Sequence, residues 1–244
     1  MNNKIVSTHV FLYYKDTGIE LINQIKDYCS GKIFLSLIIN NPNNKLLIEH
    51  ARKFFDLDIT YVENAGTDQY GFFHSFKKDL SEKPWVFFCH DKHINKKTWM
   101  IELIEILANV EDDYLLNKKC GIISSLKYVN KVEDINSLLN KYGSMAFEHR
   151  KGLVQSIHTV IWLKELQRIL LEKHELLKEE SIYPRFCSGN IFLAKRDVIN
   201  ISHDCIYENF FNKNVYRTDG EMSHGLERFY FYVSECLGYH NIFI

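Results

Sequence analysis

The chain has 244 residues, 46% hydrophobic and 25% charged, with 30 basic side chains against 31 acidic ones. That composition describes a globular protein with a sizeable core. The formal net charge of -1 supplies no global field to hold a polyanion such as nucleic acid.

The first third alternates short apolar runs with helical patterns. Val10 to Tyr14 reads as a strand, and residues 18–29 carry Ile19, Leu21, Ile22 and Ile25 on one helical stripe. Ile33 to Ile39 is a continuous apolar run, the mark of a parallel strand buried on both faces. Asn40-Asn41-Pro42-Asn43 is a turn, and residues 44–55 are helical with Leu47, Ala51 and Phe54 on one side. Asp58 to Val62 and Trp85 to Cys89 are further strands. This β-α-β-α-β order predicts an α/β fold with a mostly parallel central sheet flanked by helices. Beyond Cys89 the pattern predicts helices over 97–109 and 131–141, a strand over Cys120 to Ser124 and the longest helix over 157–178. A strand over Phe186 to Ala194 and a final helix over Glu221 to Leu237 follow. With no internal repeat and no Pro-rich hinge, residues 1–244 read as a single domain.

The six cysteines, Cys29, Cys89, Cys120, Cys187, Cys205 and Cys236, form no C-x-x-C pair and are widely spaced. They therefore predict free thiols rather than a zinc ribbon or a disulfide framework. The N-terminal residues lack the apolar core of a secretory signal, and no stretch approaches the ~20 apolar residues of a membrane span. The expectation is a soluble, cytoplasmic protein, at most touching the inner face of the membrane.

Three segments gather polar side chains. Glu63 to Gly71 follows a strand, and within it Asn64, Gly66 and Asp68 suit contacts with a base and ribose. The same residues would equally make a turn and a helix N-cap. Trp85 to His93 is an apolar strand ending in His90-Asp91-Lys92-His93, at the strand end where an α/β enzyme places its chemistry. Asp91 with His90 or His93 could hold Mn²⁺ or Mg²⁺ on a diphosphate, and Lys92 could neutralise phosphate charge without a metal. A solvated loop is the plainer reading. In Thr218 to Arg228, helical spacing puts Glu221, His224 and either Glu227 or Arg228 on one face, which suits general-base work or metal ligation. A capped helix with solvated charges has the same pattern. Ser188-Gly189-Asn190 precedes a strand, and its small residues would let a ligand approach the backbone. No P-loop, G-x-G-x-x-G, H-E-x-x-H or G-x-S-x-G is present, which removes the commonest kinase, dehydrogenase, metalloprotease and hydrolase readings.

Taken in order, these segments resemble the rhamnan synthesis protein F family of glycosyltransferases. The likeness rests on Asn64-x-Gly66-x-Asp68, on His90-x-Lys92 with Trp99 opening the next helix, on Gly189 to Arg196, and on Asp219-Gly220 with His224 and Glu227-Arg228, and spans roughly residues 60–230. It implies a single GT-A-like, Rossmann-type domain with a nucleotide-sugar half over about residues 1–125 and an acceptor half over about 126–244. It further implies a hexosyltransferase that uses a dTDP- or UDP-linked donor and builds a bacterial surface polysaccharide, capsule or lipopolysaccharide O-antigen, with a glycan or lipid-linked glycan as acceptor. By that analogy Asn64, Gly66, Asp68, His90, Lys92, Gly189 and Arg228 contact the donor, Glu221, Glu227 and His224 are catalytic, and Asp91 and His93 hold any metal. Only Asp91 is acidic where many GT-A enzymes carry Asp-x-Asp, so metal-independent action stays open. A non-catalytic nucleotide- or sugar-binding module and a metal-dependent hydrolase are the rival expectations.

Overall fold

The computed structural model describes residues 6–28, 34–39, 44–62, 67–91, 119–126, 129–142, 147–179, 183–187, 189–211 and 222–244. Its centre is a seven-stranded sheet in the order β3-β2-β1-β4-β8-β5-β9. These are β1 (Val6–Leu12), β2 (Phe34–Ile39), β3 (Asp56–Tyr61), β4 (Trp85–His90), β5 (Cys120–Ser124), β8 (Phe192–Lys195) and β9 (His240–Phe243). Strands β3, β2, β1 and β4 pair in parallel. Strand β8 runs antiparallel between β4 and β5, and β9 pairs in parallel with β5. The result is the α/β fold with a mostly parallel central sheet flanked by helices that the sequence pattern predicts. A separate ribbon pairs β6 (Val129–Lys131) antiparallel with β7 (Arg185–Cys187).

The inner strands are apolar on both faces because helices cover both. Consecutive residues of a strand face opposite ways, and they enter two different cores. Val10, Leu37, Trp85 and Phe87 pack with Leu21, Ile22, Ile25 and Leu47 of helices α1 (Lys15–Tyr28) and α2 (Lys45–Arg52). Phe11, Ile38, Val86 and Phe88 pack on the other side with Phe72, Phe73, Leu163, Leu166, Val198 and Phe229. Those residues come from α3 (Thr67–Lys77), α5 (Phe147–His174), α6 (Arg196–Asp204) and α7 (Met222–Cys236), with α4 (Ile135–Tyr142) beside them. Trp85, Val86, Phe87 and Phe88 are fully buried; each such side chain contributes about 1.5–3 kcal/mol of transfer free energy. Helices α5 and α7 touch closely at Gly225, where a Cβ would lie 2.8 Å from that of Trp162.

Several sequence boundaries move. Strand β1 begins at Val6 and ends before Tyr13. The long helix starts at Phe147 rather than 157. The run from Phe186 to Ala194 is two strands in two sheets, because Gly189 and Asn190 between them both have positive φ (104° and 51°). Helix α6 and strands β6 and β9 are additions to the sequence reading. The helix expected over 97–109 lies outside the described residues.

Among the described residues, five cysteines are free, and no helix is long and apolar enough to cross a membrane. A polar network sits at the amino ends of the parallel strands. Asp79 Oδ2 accepts from Ser7 Oγ and from Arg196 Nη2, both at 2.5 Å, and lies 3.4 Å from His9 Nε2. Burial alone would raise the Asp79 carboxyl, but its bonds with His9, Ser7, Arg196 and Ser81 outweigh burial and hold it well below the usual carboxylate range.

Candidate functional site

Strand order reverses between β1 and β4, and open α/β sheets bind ligands outside the carboxyl ends of the strands at such a switch point. Here β1 runs out into Tyr13-Tyr14, and β4 ends at His90 and leads into Asp91. The two ends are tied together. Asp91 accepts the Tyr13 N–H on both carboxylate oxygens, at 3.0 and 2.9 Å, and the Tyr14 N–H on Oδ2 at 2.7 Å. Burial outweighs these bonds and pushes the Asp91 carboxyl up to about 6. The rings of Tyr13 and Tyr14 meet edge to face at 4.5 Å and stay exposed at the mouth of the crevice.

Beside the crevice, segments far apart in sequence converge. The first turn of α3 carries Asp68, where the helix dipole favours a carboxylate. Asn190 Nδ2 donates to both Asp68 oxygens, at 3.3 and 3.2 Å. His90 Nε2 lies 2.7 Å from the Gly189 carbonyl and 3.5 Å from Asp68 Oδ2. Facing a carbonyl, that nitrogen must carry the proton. The left-handed pair Gly189-Asn190 turns two successive N–H groups onto Glu227 Oε1, at 2.5 and 3.2 Å. Consecutive N–H groups in such a turn form an anion-binding concavity, and here a carboxylate of α7 fills it. Glu227 Oε2 is 3.4 Å from Arg228 Nη1, which also donates to the His224 carbonyl at 2.5 Å. The Arg228 guanidinium lies over the Phe186 ring at 4.3 Å. Glu227 is only 7% exposed; burial raises its carboxyl, opposed by the charge of Arg228 and the Gly189 N–H.

A second layer steadies α3. Tyr230 donates to Gln69 Oε1 at 2.9 Å and accepts from His203 Nε2 at 2.9 Å. Burial pushes His203 down to about 3, so it stays neutral and leaves the tyrosine its acceptor role. Ser124 Oγ donates to the Ile191 carbonyl at 2.7 Å and ties the end of β5 to the same turn. Gln69 Nε2, Asn190 Oδ1 and Ser223 Oγ are buried without a hydrogen-bond partner among the described residues. Buried polar atoms left this way ask for an explanation, and a bound ligand is one.

The structure thus brings Asp68, His90, Gly189, Glu227 and Arg228 together, with the backbone of His224 one turn away. Asn64, Gly66, Lys92, His93 and Glu221 lie outside the described residues. Two of the expected site residues are engaged within the protein. Glu227 Oε1 organises the Gly189-Asn190 turn and Oε2 meets Arg228. Both Asp91 oxygens accept backbone N–H groups, and its side chain is buried. Among the described residues no three His, Cys, Asp or Glu side chains are grouped to hold a metal ion. The sequence reading passed over Tyr13-Tyr14 and Tyr230. Their signals were a strand running out into two aromatics and a tyrosine amid an otherwise apolar helix face.

No protein-family model matches the chain, and no curated protein sequence matches it. Among solved structures it is similar to that of S. aureus TarS 1–349, a glycosyltransferase, at 11% identity and a TM-score of 0.39. The likeness covers 73% of this chain and 68% of that one. It is too slight to place residues, so the functional reading rests on the geometry of the site.

Proposed function

We propose that the chain is a glycosyltransferase that moves a hexosyl group from a dTDP- or UDP-linked donor onto a growing bacterial surface glycan, free or lipid-linked. The observation that carries this reading is the meeting of Asp68, His90, Gly189-Asn190 and Glu227-Arg228 beside the switch point of a Rossmann-type sheet. Transfer needs a nucleotide crevice and, next to it, groups that manage one proton and one departing charge.

In this reading the acceptor hydroxyl attacks the anomeric carbon, the bond from that carbon to the diphosphate oxygen breaks, and the hydroxyl proton passes to a carboxylate. Asp68 suits that task better than Glu227, because its side chain keeps 16% of its surface exposed. Glu221 remains the alternative base. Asn190 and His90 hold Asp68 in place, and Glu227 holds Asn190. The departing diphosphate calls for positive charge, and Lys92, two residues after His90 in the sequence, is the side chain expected to supply it. A divalent cation would add the same kind of charge stabilisation.

The test is a thermal-shift screen with dTDP, UDP, GDP and CMP, each with Mn²⁺, Mg²⁺ or EDTA, followed by incubation with the sugar-linked form of whichever nucleotide binds. A ligand held only by the folded state raises the melting temperature. Sugar transfer to a glycan acceptor is the expected result. Donor hydrolysis alone would favour a hydrolase, and no shift with any nucleotide would overturn the donor site. A second reading, a binding module without turnover, is favoured by one observation: both Glu227 oxygens are engaged within the protein.

A further inference from the structure

Helix α7 reaches Asp68 along two routes. Glu227 and Tyr230 are three residues apart, so they share one face of the helix. Glu227 holds the Asn190 N–H, and the Asn190 carboxamide donates to Asp68. Tyr230 donates to Gln69, the residue that follows Asp68 in the first turn of α3. The charge of Asp68 is felt at the Tyr230 hydroxyl: burial raises that hydroxyl well above its ordinary value, and Asp68 raises it further.

The second route is a buried chain in which each proton has one place to go. His203 donates to Tyr230, so the tyrosine's single proton goes to Gln69 Oε1, which fixes the carboxamide end for end. His203 is itself clamped by Phe72, Phe73 and Phe76 of α3, with ring centroids at 5.2, 5.3 and 5.2 Å. As a stabilising device the chain is poor. Gln69 Nε2 and His203 Nδ1 are buried without a hydrogen-bond partner among the described residues. Such atoms cost stability, whereas apolar side chains of the same shape would fill the space without that penalty. What the chain does supply is orientation, a fixed placement of the first turn of α3 and with it of the Asp68 carboxylate.

We propose that Tyr230 is a positioning residue, which acts through Gln69 to hold the Asp68 carboxylate in its working geometry and touches no substrate itself. The inference rests on the transferase reading above, in which Asp68 takes the acceptor proton. The link between Tyr230 and Asp68 stands on the hydrogen bonds alone. Through Tyr230 and Glu227, one face of α7 then governs both the backbone beneath Asp68 and the amide that Asp68 accepts from.

The experiment is a double-mutant cycle on the full chain, Tyr230→Phe against Asp68→Asn, read in initial rates of sugar transfer at varied donor and acceptor. Tyr230→Phe should lower kcat about tenfold, within the ~10²-fold that a 1 Å displacement of a reacting group can cost. Both KM values should stay within about twofold, since ground-state binding is untouched. In an Asp68→Asn background the substitution should cost nothing more. An unchanged kcat, a loss confined to KM, or the same tenfold loss in the Asp68→Asn background overturns the proposal. A purely structural role is tested by combining Gln69→Leu, Tyr230→Phe and His203→Leu, which removes the polar chain at nearly constant volume. This variant should melt no earlier than the parent and transfer sugar about tenfold more slowly or worse. Early unfolding, or parental activity, overturns the proposal. The Tyr230 hydroxyl proton, followed by NMR without turnover, should shift in Asp68→Asn, and an unmoved resonance overturns the proposal as well. If the parent chain transfers no sugar, the transferase reading falls, and that resonance alone decides whether Tyr230 and Asp68 are coupled.

Discussion

Glu227 separates two accounts of the site, and a pair of substitutions distinguishes them. In Glu227→Ala the N–H groups of Gly189 and Asn190 lose their acceptor and Arg228 loses its carboxylate. Each buried N–H left unpaired costs about 1–3 kcal/mol, and removing one member of a buried ion pair costs about 3–5 kcal/mol. The two figures overlap, because they describe the same groups. Part of the loss is recovered, since a buried carboxylate whose protonation is favoured by desolvation no longer has to be charged. A net loss near the lower part of that range, at about 2–4 °C per kcal/mol for a chain of this size, lowers the melting temperature by roughly 10 °C. Glu227→Gln keeps an acceptor oxygen for both N–H groups but makes the bonds neutral, so the loss is about 1–2 kcal/mol. Thermal unfolding and initial rates of sugar transfer are measured on the same preparations. If Glu227 organises the turn, the Gln variant unfolds a few degrees earlier and retains activity within about tenfold. The reasoning is refuted if the Gln variant melts with the parent while its rate falls by the ~10²–10⁴-fold expected for loss of a general base.

Three further outcomes follow from the geometry. Asp68→Asn keeps the shape but loses the charge that Asn190 and the helix start favour, so it should cost about 1–2 kcal/mol, a few degrees in melting temperature, and should lower transfer by at least about 10²-fold in rate assays; unchanged activity would remove Asp68 from the chemistry. Asp79 is held below its unfolded protonation point, so its stabilisation is present above about pH 4 and is lost as pH falls further. Asp79→Asn should therefore flatten the acid limb of a denaturation series while lowering stability at pH 7, and a parallel acid limb in the variant would contradict this. Gly225→Ala should destabilise by about 1–3 kcal/mol in urea unfolding through overpacking against Trp162, whereas Gly225→Ala at parental stability would show that α5 and α7 can part freely.

The parallel half of the sheet was legible because burial on both faces leaves one pattern, a short apolar run between turn signals. Boundaries moved where side chains of mixed character are buried. Ser7 and His9 are buried in β1 although their polarity argues against it, because Asp79 and Ser75 satisfy them. Helix α6 was missed because no turn precedes it: Lys195 ends β8 and is itself the residue before the helix, extended at φ -63° and ψ 143°. In the site, residue types were legible and their duties were not. Asp91 follows His90 directly, yet it turns to the backbone of β1 while His90 meets Gly189. The Gly189-Asn190 turn was visible as small residues, but nothing in the local sequence says that a carboxylate 37 positions later from Asn190 fills it.

The insertion of β8 between β4 and β5 bears on how the protein is made. Strand β4, with Trp85, Val86, Phe87 and Phe88, is an interior strand only after residues 192–195 have arrived to pair with it. Until then a nascent chain holds a long apolar edge with unpaired backbone groups, a template for association with other chains. The strand that covers this edge is delivered by the turn that Glu227 closes from still further along the chain. Synthesis therefore has to run past residue 195 before the edge is covered and past residue 227 before the site is complete. An amino-terminal fragment ending near residue 125 would aggregate rather than retain half a function.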